Sequence, residues 1–233
     1  MWSNDHPMAS GIETVAVFAD AAPALDVGVA VLALDRHEPN DVAQQVDRSA
    51  VPQERLWLGI GAGFVKRPLG VVRDGLAAMR AALPGGTRVV VAAMGPKMCA
   101  LAGAEADGVF LNWMTPEKAA WARERVREGA RAAGRSEAPP IFGYVRVAVG
   151  PDADERLLKE ESFYRGLHEG YIRHFEALGD APPGSVGIAA ADPSDVQPRL
   201  TEYDAIDHVV VRALAHADTD SLAAVAEAAA PRR

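Results

Sequence analysis

The feature that most constrains this chain is a regular alternation. Short runs of apolar, often β-branched residues are each followed by a longer amphipathic stretch rich in Ala, Leu, Glu and Arg. The runs are continuously apolar, as in VGVAVLAL at Val27 to Leu34, RVVVAA at Arg88 to Ala93 and IFGYVRVAV at Ile141 to Val149. A strand apolar on both faces needs cover on both, and parallel neighbours need crossovers long enough to hold a helix. The pattern predicts an α/β fold with a parallel sheet. Further strands are expected at Arg55 to Ile60, Val109 to Trp113 and His208 to Ala213. Helices are expected near Pro39 to Arg48, Leu69 to Leu83, Lys97 to Ala104, Pro116 to Ala133, Asp152 to Leu178, Asp192 to Tyr203 and Thr219 to Ala229. Thr115 as a cap ahead of Pro116, with Gly134 after the last turn, marks the firmest boundary.

No linker, charge block or low-complexity segment divides the chain, so residues 1–233 are read as one domain, with 1–9 a partial strand and loop and 230–233 a flexible tail. The net charge of −8 argues against nucleic acid, whose binders present a basic face to phosphates. No apolar run approaches the ~20 residues that cross a bilayer, and the start, MWSNDHPMAS, lacks the marks of a signal peptide. A cytoplasmic protein with no membrane contact is expected. Cys99 is the only cysteine, in the apolar context MCALAG, and is read as a buried small hydrophobe. HExxH, GxSxG and P-loop patterns are absent, so nothing supports metal-assisted hydrolysis, acyl transfer or P-loop chemistry.

The segment LGIGAG, Leu58 to Gly63, invites comparison with a dinucleotide-binding turn. That fingerprint needs G-x-G-x-x-G directly between strand and helix. Here the glycines are Gly59, Gly61 and Gly63, and FVKRPL intervenes before the helix, so the pattern is not met.

A wider set of segments carries a different likeness. RLWLGIGAG followed by KRPLGVVRDGLAAMRAAL, then VVVAAMGPKMCALAGAEADGVFLNWMTPE and a long helix ending AGR, resembles the bacterial luciferase-like family of flavin- and F420-dependent oxidoreductases. DVGVAVLALDRHEPNDVAQQVD is similar to the family's third strand and following helix, and FGYVRVAVG and DHVVVRAL to its last two strands. The likeness runs from about Asp5 to Ala213 and implies a luciferase-like TIM (β/α)8-type barrel with its cofactor, F420 or FMN, at the C-terminal mouth of the strands. It also implies a homodimer or a partner subunit, and a small organic substrate undergoing hydride transfer or monooxygenation. Against the family, the first strand, first helix and most of the second strand have no counterpart, which leaves about six parallel strands. SGIETVAVFADAAPAL resembles the helix before the third strand, and WSNDHPM the end of the second. A start set too late, completion by a partner, or a natural shortened relative each accounts for this. The last admits a second function, a non-catalytic flavin-binding or assembly-partner barrel.

The resemblance directs attention to particular residues. Asp5 and His6 match an Asp-His pair of some F420-dependent members, with Asp5 as a cofactor contact and His6 either the proton-transfer candidate or a solvated histidine in a frayed end. Ala30 and Val31 match a bulge against the back of the cofactor ring, where several members carry a non-proline cis peptide, or they pack as an ordinary strand. Gly61 and Gly63 either let backbone approach the ring or relieve crowding. Met94 and Gly95 precede a helix whose N–H groups face a phosphate, or form a plain βα turn. Asn112 is placed at a ring edge. Trp113 walls the substrate pocket or packs in the core, and Phe64 is assigned to that pocket. Phe64 also stands where sugar-phosphate dehydrogenases of the family carry a glutamate, which disfavours that substrate class. Arg146, inside an otherwise apolar strand, needs an anionic or multiply hydrogen-bonded partner: a cofactor phosphate, a substrate acid or, the favoured reading, a structural carboxylate. Arg212 raises the same choice.

Overall fold

Parallel strands and helices alternate throughout the computed structural model, which describes residues 1–231. Arg232 and Arg233, the end of the expected tail, lie outside the described residues. The chain groups into two compact units: Met1–Phe110 with Glu124–Pro140, and Leu111–Arg123 with the residues from Ile141 onward.

The first unit carries β1 (Trp2–Ser3), α1 (Gly11–Ala21), β2 (Val27–Ala33), α2 (Pro39–Ser49), β3 (Leu56–Gly61), α3 (Pro68–Ala82), β4 (Arg88–Ala93), α4 (Pro96–Glu105) and most of β5 (Gly108–Leu111). The strands follow one another in chain order, β1 to β5. Pairing is parallel, with Gly28 beside Trp2 and Trp57, and Gly59 beside Val90. Val29, Leu32, Leu56, Leu58, Ile60, Val90 and Val91 are wholly buried, which is why these strands read as unbroken apolar runs. α3 buries Val72, Leu76 and Met79, one stripe at helical spacing. Each such side chain contributes about 1.5–3 kcal/mol when fully buried. Cys99 is buried, as its context suggests.

The second unit contains β6 (Ile141–Val149), α6 (Ala153–Leu167), α7 (Glu169–Glu176), β7 (Ile188–Ala190), α8 (Val196–Leu200), β8 (His208–Ala213) and α9 (Thr219–Ala229). β6 is central, pairing in parallel with β7 from Val147 beside Ile188 and with β8 from Phe142 beside His208. α5 (Pro116–Ala132) contributes residues to both units. Its expected boundaries hold: Thr115 Oγ1 accepts the Lys118 N–H at 3.2 Å. At its other end Gly134 takes φ +74° and the Arg135 N–H reaches the Ala130 carbonyl at 3.0 Å.

Three expectations need correction. The helix expected over Asp192 to Tyr203 is α-helical only at Val196–Leu200, between two 3-10 turns. The helix expected over Asp152 to Leu178 is two helices, broken at His168, whose backbone is extended (φ −161°, ψ 151°) and whose Nδ1 accepts the Gly170 N–H to start α7. Two short strands also join the six expected, β1 and β7, of two and three residues. Neither is long enough to display a period. No helix among the described residues is long and apolar enough to cross a membrane.

Candidate functional site

In the first unit, parallel order places the loops after β1, β2, β3 and β4 along one edge of the sheet. That edge holds residues 4–10, 34–38, 62–67 and 94–95. Two carboxylates lock the first three of these loops together. Asp5, its side chain 6% exposed, accepts the Gly11 N–H on Oδ1 at 3.1 Å and meets His37 Nε2 on Oδ2 at 2.8 Å, with Arg36 at 3.6 Å. Asp35 accepts the Phe64 N–H at 2.9 Å, joining the second loop to the third. Asp5 is thus occupied as a lock, and His37, which the sequence reading did not single out, is the imidazole it orients. His6 is exposed. Its backbone pairs with Ala9 in both directions, at 3.1 and 2.9 Å, and its Nδ1 accepts the Met8 N–H at 3.2 Å. In the neutral ring the proton therefore sits on Nε2.

The peptide bond between Ala30 and Val31 is cis, at the position the family likeness marked. The β2–β3 register shifts between Val29 and Leu32, so β2 bulges there. The first two glycines of LGIGAG, Gly59 and Gly61, face that bulge. A Cβ on Gly59 would stand 2.6 Å from the Val29 carbonyl oxygen, and one on Gly61 3.0 Å from Val31 Cγ2. Gly63 has φ +70° and a Cβ there would collide with the Asp35 carboxylate at 2.0 Å. Crowding by the neighbouring strand and its loop accounts for all three. Phe64 follows with 62% of its surface exposed.

α4 starts at an unusually bare end. Its N-cap, Gly95, has no side chain to accept the first N–H groups, Pro96 brings no donor, and nothing lies within 4 Å of where a Gly95 Cβ would stand. Met94 before it is half-buried. The backbone N–H groups of such a first turn suit an anion.

The second unit gathers a different set. Trp113, just past β5, is 1% exposed and holds φ 55°, a conformation that costs a bulky residue about 1–3 kcal/mol. His174 from α7 holds its carbonyl, with Nε2 donating at 2.6 Å. Burial lowers the His174 pKa, so the ring is neutral at pH 7 and its proton serves this bond. The Arg146 guanidinium lies over the Trp113 ring, 3.6 Å from its centroid, and 5.5 and 5.8 Å from those of Tyr164 and Tyr144. Its Nη1 donates to Asn112 Oδ1, while Asn112 Nδ2 reaches the Tyr171 hydroxyl at 3.5 Å. Asn112 thus meets Arg146 through Oδ1 and Tyr171 through Nδ2.

No carboxylate pairs with Arg146 among the described residues, which corrects the favoured structural-pair reading. The reason is local, since aromatic faces and one amide surround it. Arg212, beside Arg146 in the β6–β8 register, has Glu160 at 3.4 Å. Burial first, and Arg212 second, lower the Arg146 pKa to about 10, which leaves it cationic at neutral pH. Burial raises the Tyr144 hydroxyl to about 12 and also raises Tyr171, so both remain protonated donors. The sequence pointed to Asn112, Trp113, Arg146 and Arg212. It held no signal for Tyr164, Tyr171 and His174, which arrive on α6 and α7 and meet the cluster only through packing.

The profile of the luciferase-like monooxygenases matches residues 73–230. Among solved structures, the chain is similar to an F420-dependent secondary alcohol dehydrogenase in complex with an F420-acetone adduct. The TM-score is 0.76 at 17% identity, over 99% of this chain and 90% of that one. A coenzyme F420-dependent tetrahydromethanopterin reductase from Methanopyrus kandleri gives 0.68 at 16% identity, covering 97% and 88%. The oxygenating constituent of 3,6-diketocamphane monooxygenase from Pseudomonas putida, in complex with FMN, gives 0.63 at 16% identity, covering 96% and 83%. At such identities the likeness is one of fold.

Proposed function

The chain belongs to the luciferase-like monooxygenase family and has its α/β, TIM-barrel-type fold, and from that premise we propose that it is an F420- or FMN-dependent oxidoreductase acting on a small organic substrate. The observation that carries the reading is the edge of the first unit, where four successive βα loops gather and α4 opens with an uncapped first turn. That edge fits the cofactor on its own terms: Gly95 leaves open space before bare N–H groups, as a phosphate requires.

In this reading Met94 and Gly95 shape the phosphate seat and Ala30 and Val31 form the bulge behind the ring. Gly61 and Gly63 keep that bulge and the third loop in place. The cofactor, once bound, supplies hydride transfer or oxygen activation. His6, with its Nε2 proton directed away from the Met8 contact, is the candidate for proton transfer. Asp5 is a positioning residue that fixes His37. Phe64 and Trp113 border substrate space, each within its own unit. The protein is proposed to be cytoplasmic and to work as a homodimer or with a partner subunit.

Adding F420 or FMN to the purified protein and recording the visible spectrum tests this directly, followed by turnover with the reduced cofactor. A perturbed, saturable spectrum and oxidation of the reduced cofactor are expected. Binding without oxidation under any electron acceptor favours a non-catalytic binder, and absence of binding by both cofactors defeats the proposal.

A further inference from the structure

Arg146 sits in the second unit at 2% exposure, without a carboxylate partner among the described residues. Aromatic faces attract a cation but accept no conventional hydrogen bond. Of its donors, Nη1 is met by Asn112, while Nε is buried with no hydrogen-bond partner. The Trp113 ring stacked upon it has a buried Nε1–H that is also unsatisfied. Two orphaned buried donors on one stacked pair are costly, more so where the group is charged. An oxygen-bearing anion is the partner both lack.

The register sharpens this. Arg146 and Arg212 are Cα partners on adjacent strands, a placement that sets like charges side by side. Glu160 from α6 offsets one of them. Arg146 itself keeps its charge without a carboxylate partner among the described residues, with the rings of Tyr144 and Tyr164 and the hydroxyl of Tyr171, which Asn112 Nδ2 reaches, around it. One charge matches a carboxylate better than a phosphate monoester, which carries about −1.5 to −2 at neutral pH. The unpartnered side of the guanidinium, at Nε, is an edge that engages the two oxygens of a planar carboxylate.

We propose that Arg146, braced by Asn112 and Trp113 and bordered by Tyr144, Tyr164 and Tyr171, is a recognition site for the carboxylate group of a small organic ligand. Binding at Arg146 is independent of the proposed oxidoreductase activity.

The test is a titration of the full chain, alone and with FMN or F420 added, using benzoate, the neutral isostere benzamide, and inorganic phosphate. Tryptophan fluorescence and thermal melting are the readouts. Benzoate is expected to change the fluorescence saturably and raise Tm, benzamide to do neither, and W113F to lose most of the fluorescence response. R146K retains the charge but not the fork and should weaken benzoate at least ~10-fold. R146Q should abolish binding. If R146Q does not fold, R146K with its own melting curve carries the test. Equal binding of benzamide, unchanged benzoate affinity in R146K, tighter binding of phosphate than benzoate, or no benzoate effect at all would each overturn the inference. Cofactor titrations made in parallel separate the two readings. Benzoate binding without cofactor binding leaves the carboxylate site and removes the oxidoreductase, and the converse does the opposite.

Discussion

Trp113 shows how much a single residue can hold when its neighbours over-determine it. Its left-handed backbone is kept by the bond from His174, and its ring by the Arg146 guanidinium. Because burial lowers the His174 pKa, the unfolded chain takes up this proton first as pH falls. Stability from the neutral ring is complete above about pH 6.5 and is lost progressively as pH drops below that value toward the lowered folded pKa. Urea denaturation from pH 7.5 to 5 should show that loss, and His174→Gln, which keeps an N–H donor without titrating, should flatten it. An unchanged pH slope in the variant would remove His174 from the account. A second residue-scale expectation concerns the glycines. Gly59→Ala forces a Cβ against the Val29 carbonyl at 2.6 Å, whereas Gly70, inside α3, has nothing within 4 Å. Gly59→Ala should cost about 1–3 kcal/mol. Gly70→Ala should stabilise by about 0.5–1 kcal/mol. If the two variants melt alike, the packing argument for LGIGAG fails. The spacing of these glycines was visible in the sequence, but their reason was not, because the bulge they accommodate lies on another strand.

Elements in this chain are tied down by side chains that reach across loops. Glu161, wholly buried on α6, accepts the Val186 N–H at 2.9 Å and binds Arg165 at 2.7 Å, fixing the approach to β7. That bond gives a strand of three residues a defined place, which its sequence could not. Glu161→Ala should destabilise by about 3 kcal/mol, read by chemical denaturation, since it orphans a buried N–H and a partly buried cation. Glu161→Gln, which retains an acceptor, should lose less, and equal losses would mean the Val186 bond contributes nothing. α4 and α5 make contact backbone to backbone in the first unit. A Cβ on Gly103 would fall 2.0 Å from the Val126 carbonyl oxygen, and one on Gly129 2.0 Å from that of Ala100. Gly129→Ala is expected to yield little folded protein, and near-normal melting of that variant would contradict the close crossing. Element existence was legible from apolar runs and caps. The break at His168 was not, because residues 152–178 read as one polar-rich helical stretch, and the break depends on a local bond from Gly170 to the His168 ring.

For the whole molecule, a net charge of −8 spread over 233 residues sets its solution behaviour. DNA mobility in a gel should be unchanged by the protein at about 0.1 M salt, because no counterion release rewards the contact. A clear shift would show a basic face that the composition hides. The fold class was legible at this scale as well. Continuous apolar strands demand cover on both faces and helices between them, and that requirement needs only local composition and period. Ordered segments such as LGIGAG and MGPKMC then directed attention to the loops where parallel strands end. What the sequence by itself determined is therefore the alternation of strand and helix, the class of sheet, and most of the helix boundaries. Tertiary structure alone decided that Asp5 serves His37, that Asn112 serves Arg146, and that Arg146 meets aromatic rings in place of a carboxylate. The physical reason is range. Hydrophobic period and capping act within a few residues of chain, whereas the partners of a buried charge come from elements 30 and more positions away, and only packing brings them together.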